Sequence, residues 1–194
     1  MTEPFVISAT VAGVAALLAS LALTPAVKVL ARRIGAVAKP KVDRWHTKPT
    51  AMLGGVAIVI AVVGTLLALV PLTPQGRIVL AASVALFLLG LTDDFFHIKP
   101  WQKLIGQLLG GAAVVAAGLV LPWTPYGAVN LFITMFWIVG ITNAVNMLDN
   151  MDGLAVGVSA IAAAFLGLNF VANQQLPEAV MLAAFTGALL GFLV

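Results

Sequence analysis

Seven apolar runs, most of them near the length of a membrane-spanning helix, fill this chain and leave little polar sequence between them. They cover residues 5–27, 51–71, 77–92, 104–122, 129–148, 154–172 and 178–194. A helix needs roughly 20 mostly apolar residues to cross the hydrocarbon of a bilayer. Inside hydrocarbon every backbone N–H and C=O must be paired, and a helix does this within its own segment. The pattern therefore predicts an all-α fold, a polytopic membrane helix bundle of about seven transmembrane helices. With 62% hydrophobic and 9% charged residues among 194, the chain has too little charge to cover a soluble surface. No stretch is left over for a separate soluble domain.

Pro71, Pro74, Pro122, Pro125 and Pro177 punctuate the turns along one side. The connections on the other side, residues 28–50, 93–103 and 149–153, carry nine of the ten Lys and Arg residues, and only Arg77 falls opposite. Basic loops are retained in the cytoplasm, so the split predicts that face inside and the N-terminus outside. It also accounts for the net charge of +3 without a nucleic-acid partner. Only Glu3 precedes the first apolar run, where a cleaved signal would carry basic residues, so the run reads as a retained helix. The absence of cysteine excludes disulfides and Cys-ligated metals.

The acids ask for a further cause. Asp43, Asp93, Asp94, Asp149 and Asp152 all fall on the basic face, and loop solvation is the plain alternative to a site. In GLTDDFFHIKPWQK, residues 90–103, Asp93 and Asp94 end an apolar helix. Carboxylates beside hydrocarbon are costly and mark functional sites with a cationic partner. The electronegative end of a helix makes the position worse unless a cation compensates, and Lys99, Lys103 or Mg²⁺ are the candidates. Capping with ion pairing is the alternative, and His97 reads as an interfacial side chain. In TNAVNMLDNMDGL, residues 142–154, Asn143, Asn146, Asp149 and Asp152 recur every third residue, and the first three share a helix face that Gly153 then ends. Amide and carboxylate oxygens together suit Mg²⁺, which completes its shell with substrate phosphate. A helix–helix hydrogen bond accounts for one Asn, not for the array. The longest connection holds VDRWHTKPTAMLGG, residues 42–55. Lys28, Arg32 and Arg33 before it suit anionic headgroups, while Asp43, His46 and Lys48 around Trp45 suggest a ligand loop.

An acid pair, an Asn/Asp ladder and a basic loop on one face fit metal-assisted chemistry on phosphate groups at the cytoplasmic leaflet. The non-enzyme alternative is a small transporter component with Asp and Asn along an ion path. Such sites usually lie near the bilayer midplane and often accompany inverted repeats; here the polar groups gather at one face and no repeat is evident.

The segments DRWHTKPTAMLGG, GLTDDFFHIKPWQK and NAVNMLDNMDGLA, in this order, resemble the polyprenyl-phosphate N-acetylhexosamine-1-phosphate transferase family. The resemblance implies transfer of a sugar-1-phosphate from a UDP-N-acetylhexosamine to undecaprenyl phosphate, releasing UMP and starting a lipid-linked envelope glycan. It implies Mg²⁺, or Mn²⁺ in its place, and a bacterial inner-membrane location, and it allows a homodimer. Asp93 matches the residue acting as base toward the lipid phosphate, with Asp94 in support. Asn146 matches a metal ligand with Asn143 nearby, Lys103 a lysine on the pyrophosphate, and Asp149 and Asp152 the nucleotide side. His46 and Lys48 carry a general substrate-binding role. The first loop is nearer the branch using UDP-N-acetylglucosamine than the one using UDP-MurNAc-pentapeptide, whose loop has a GTPTMGG form. Family members have ten or eleven helices, with a further metal-binding Asp and a His-rich loop beyond the seventh. The resemblance therefore implies an N-terminal portion of one transferase domain, inactive alone; a non-catalytic assembly subunit is the remaining reading.

Overall fold

The structure, a computed structural model, describes residues 3–38, 50–51, 53–149 and 153–194. Among them are seven helices: α1 (Glu3–Arg33), α2 (Gly54–Leu69), α3 (Pro74–Phe96), α4 (Pro100–Ala116), α5 (Gly127–Leu148), α6 (Leu154–Ala172) and α7 (Leu176–Leu193). Each predicted apolar run holds one helix. Helices α1, α3, α5, α6 and α7 are long and apolar enough to cross a membrane, and the chain is a multi-pass membrane protein. Helices α2 and α4, at 16 and 17 residues, are shorter than the full spans expected of them. Pro71 stops α2 by forcing Val70 into extended conformation (φ −121°, ψ 121°). Helix α4 gives way at Ala117 and Gly118, the latter left-handed at φ 83°. The chain divides into two compact units, residues 1–72 with 148–194, and residues 73–147.

The first unit is built on α1 against α7. Ala12, Ala16 and Ser20 form a fully buried stripe at four-residue steps on α1, and Ala184 and Ala188 are equally buried on α7. A Cβ added at Gly187 would run into the Gly13 carbonyl, and one at Gly191 into the Leu17 carbonyl. Backbone thus lies on backbone, and the matched steps 13 to 17 and 187 to 191 make the two helices parallel. Lipid is as apolar as any side chain, so close van der Waals packing of small residues is what drives such helices together. Helix α6 runs antiparallel to α7, with Gly167 near Leu182 and Gly153 near Leu193. Gly54, opening α2, abuts the Phe192 ring. A short antiparallel ladder, β1 (Val37–Ala38) with β2 (Thr50–Ala51), pairs Ala38 with Thr50 just beyond α1. The starts of α2 and α6 therefore gather at the C-terminal end of α7.

The second unit is a three-helix meander. Thr73 caps α3 by accepting from the Gly76 amide at 3.0 Å, with Pro74 in the first turn. Helix α4 offers glycine to both neighbours: Gly106 and Gly110 receive Leu89 and Leu86 of α3, and Gly111 receives Met135 and Ile138 of α5. At the far end the α4–α5 loop is tied down by Asn130, which accepts from the Thr124 amide at 2.8 Å and donates to its carbonyl at 2.8 Å. Thr134 accepts from the Leu121 amide, and Trp123 meets Trp137 edge-on.

The Ser20 hydroxyl is buried and has no hydrogen-bond partner among the described residues, so Ser20 serves there as a small residue and not as a donor. Ser20→Ala should be neutral or slightly stabilising. Gly187→Val drives a branched side chain into the α1 backbone and should cost at least about 2–3 kcal/mol. Thermal unfolding of the two variants in detergent checks the contrast.

Candidate active site

Helix α3 carries its acids inside its last turn and continues to Phe96, so the predicted connection 93–103 narrows to His97, Ile98 and Lys99. His97 closes the helix in left-handed conformation (φ 50°, ψ 60°), its N–H donating to the Asp93 carbonyl. It is the C-cap of α3, a more specific place than the interfacial side chain expected of it. Lys99 and Pro100 then open α4, and the Lys99 N–H donates to Gln102 Oε1 at 3.0 Å. An ammonium cannot accept in return, so this is half of a capping box. The early start brings Lys103 onto the first turn of α4.

Lys103 Nζ lies 2.9 Å from Asp93 Oδ2, with the two side chains 18% and 26% exposed. Of the cations expected to compensate the acid pair, Lys103 is the one that meets Asp93; Lys99 caps a helix instead. Asp94 is exposed beside it.

One turn deeper, Gln107 and Asn143 form a reciprocal amide pair between α4 and α5. Asn143 Nδ2 donates to Gln107 Oε1 at 2.9 Å, and Gln107 Nε2 donates to Asn143 Oδ1 at 3.3 Å. The second Asn143 donor goes to the Val139 carbonyl at 2.8 Å, an acceptor only, which fixes the orientation of the amide. Asn143 is thus the helix-bridging Asn of the ladder. Sequence reasoning missed Gln107, although its place four residues after Lys103, in a run of glycine and leucine, was a usable signal.

The registers bring Asn146 into the same layer as the ion pair. Gly111 meets Met135 and Ile138, and Gln107 meets Asn143. One more turn toward the start of α4 and the end of α5 sets Lys103 level with the turn that holds Asn146. The Asn146 side chain is exposed and makes no hydrogen bond among the described residues, and its amide oxygen is a hard donor. Asp149 follows the end of α5 and is also exposed. Helix α5 ends at Leu148, and Gly153 is the left-handed N-cap of α6 (φ 71°), so it does not end the Asn/Asp helix as expected. His46, Lys48 and Asp152 lie outside the described residues, as do Asp43 and Trp45. Among the described residues no three His, Cys, Asp or Glu side chains gather to hold a metal.

The sequence profile described as Glycosyl transferase family 4 matches residues 77–194, which include Asp93, Lys103 and the Asn/Asp ladder. The chain belongs to this family. His46 and Lys48 precede the matched segment. Among its family 4 relatives is a Bacillus subtilis protein named "Probable undecaprenyl-phosphate N-acetylglucosaminyl 1-phosphate transferase", 35% identical over 91% of this chain and 51% of the relative. A Mycobacterium tuberculosis decaprenyl-phosphate N-acetylglucosaminephosphotransferase is 29% identical over 93% of the chain and 52% of the relative. A phospho-N-acetylmuramoyl-pentapeptide-transferase of Latilactobacillus sakei is 30% identical over 84% and 59%. The chain spans about half the length of the curated relatives it matches.

A double-mutant cycle measures the ion pair. The contact is partly exposed, so Asp93→Asn and Lys103→Gln should couple by about 1–2 kcal/mol, less than a fully buried pair. Thermal unfolding of both single variants and the double variant in detergent gives the coupling, and a value near zero would count against the pair as a structural contact.

Proposed function

We propose that this chain carries the catalytic face of an enzyme that transfers N-acetylglucosamine-1-phosphate from its UDP-sugar to undecaprenyl phosphate, releasing UMP. The observation that carries the reading is the Asp93–Lys103 contact, level with Asn146 at one end of the three-helix unit. A carboxylate, an ammonium and a hard amide oxygen in one layer match the needs of two phosphate species brought together. The names of the Bacillus and Mycobacterium relatives support the sugar. UDP-MurNAc-pentapeptide is the competing donor, supported by the Latilactobacillus relative.

In this reading an oxygen of the lipid phosphate attacks the sugar-bearing phosphorus of the UDP-sugar. The new P–O bond forms as the bond to the bridging oxygen breaks, and that oxygen leaves with UMP. Asp93 accepts the proton of the lipid phosphate, and Asp94 adds negative charge beside it. Lys103 pairs with Asp93 before substrate arrives and turns to the pyrophosphate once it binds, where its charge offsets the repulsion between two anions. The residues fit Mg²⁺ as donors: Asn146 and the acid pair offer oxygen only. The sparse donor set suits an ion that keeps water and takes substrate phosphate into its shell. When bound, Mg²⁺ supplies charge neutralisation on the transferred phosphate. Asp149 and Asp152 belong to the nucleotide side, and His46 and Lys48 to substrate binding. No enzyme nucleophile is needed, so direct attack is favoured.

The nine-to-one charge split supports a cytoplasmic site and an external N-terminus, and the bacterial relatives support a bacterial inner (cytoplasmic) membrane. In intact cells a cysteine at Lys99 should be shielded from an impermeant thiol reagent while cysteines at Gln75 and Asn173 react. The reverse pattern would overturn the orientation.

Activity is tested with membranes carrying the chain, alone and co-expressed with the C-terminal half of the Bacillus subtilis relative, supplied with undecaprenyl phosphate and either UDP-sugar. UMP release is expected on co-expression and with UDP-N-acetylglucosamine; release in neither preparation would overturn the function. In the active pairing Asp93→Asn should lower turnover by a factor of about 100 or more. Asn146→Ala should raise the Mg²⁺ concentration for half-maximal rate, and an unchanged requirement would remove Asn146 from the metal.

A further inference from the structure

The proposed chemistry makes no use of Gln107, yet at 2% exposure it is the most buried polar side chain described in the three-helix unit. A leucine would fill the same volume without the cost of burying a carboxamide. The amide must therefore return something that packing does not. Its described hydrogen bonds both go to one side chain, Asn143, and they are reciprocal. Such a pair tolerates neither sliding nor rotation: a shift of one residue along either helix breaks both bonds. The rest of the α4–α5 contact is permissive, because Gly111 meets a flexible Met135 and would accept many offsets. Lys103 stands one turn from Gln107 on α4, and Asn146 one turn from Asn143 on α5.

We propose that Gln107 is a positioning residue that fixes the register of α4 against α5, so that Lys103 and Asn146 present to the same bound phosphate. It acts through Asn143 and touches no reacting group. The inference rests on the proposed transferase reading for its kinetic readout and on geometry alone for its structural one.

Two substitutions separate this role from simple core filling. Gln107→Leu keeps volume and removes both hydrogen bonds. Gln107→Glu keeps shape, and its protonated carboxyl can donate to Asn143 Oδ1 while accepting from Nδ2; ionised, it cannot donate. Helix α5 carries no charged residue. The charged groups nearest along the packed helices are Lys103, already paired with Asp93, and Asp94 beside it. In the active co-expressed preparation Gln107→Leu should raise the Mg²⁺ concentration for half-maximal rate by about tenfold or more, as loss of a metal site's outer support does. The rate of Gln107→Glu relative to the parent should climb severalfold as pH falls from about 9 to about 6, since burial favours the neutral carboxyl. The corresponding ratio for Gln107→Leu should stay flat. Register is read separately by disulfide formation between cysteines at Gly111 and Met135 in membranes, with lower yield expected when Gln107→Leu is added. A parental rate and Mg²⁺ requirement in Gln107→Leu would overturn the proposal, and so would a Gln107→Glu rate that stays at the Gln107→Leu level at every pH. If the parent preparation releases no UMP, the transferase reading fails. The disulfide yield then decides alone: a drop supports the register role and an unchanged yield refutes it.

Discussion

A carboxylate in the last turn of an apolar helix sits where the helix dipole and the nearby hydrocarbon both disfavour it. The 2.9 Å contact from Lys103 to Asp93 offsets both, and the rest of the three-helix unit is arranged to make it. The contact requires a turn of three residues, which the left-handed His97 permits, and an α4 that begins at Pro100. It also requires α4 to lie close along α3, which Gly106 and Gly110 allow by receiving Leu89 and Leu86. Larger residues at the two glycines would hold α4 away from α3 and lengthen the reach of the ammonium.

The same physics governs the first unit without any charge. Gly13, Gly187 and Gly191 let α1 and α7 meet through their backbones, with Ala12, Ala16 and Ser20 packed alongside. Small residues bring helices together in lipid by dispersion and shape, since transfer from water no longer distinguishes partner from solvent. The two units divide the work differently: in one, small residues make a close parallel crossing; in the other, they clear room for polar side chains to meet.

The helices were legible because apolar length is a coarse signal that survives errors of several residues. Their ends were less so. Helix α4 begins four residues before its apolar run because Lys99 and Pro100 are start signals independent of hydropathy. Helix α3 outlasts its run because a paired acid can remain helical. Gly153 was misread because glycine in left-handed conformation serves either end of a helix, and only the chain direction distinguishes them. Within the site, the need for a cation beside Asp93 followed from electrostatics, but the choice between Lys99 and Lys103 depended on where α4 starts. The Asn ladder was legible as an array and not as individuals. Spacing alone does not tell which amide turns to a neighbouring helix and which faces outward, and Gln107, the partner that decides it, lies 36 residues away.

That separation bears on how a site at the edge of a membrane can be precise. The side chains proposed to meet substrate, Lys103 and Asn146, are near helix ends, where the chain has the fewest backbone constraints. Apolar packing deeper in the unit limits the distance between helices more strongly than their offset, because methylene and thioether groups interchange at little cost. Directional bonds limit offset. Placed one turn from the exposed end, an amide pair is buried enough to hold its hydrogen bonds against competition from water and close enough to transmit their register with little leverage. Placed at the end itself, it would exchange with solvent; placed at mid-helix, small bends would accumulate before the site. The position of Gln107 and Asn143 meets both demands.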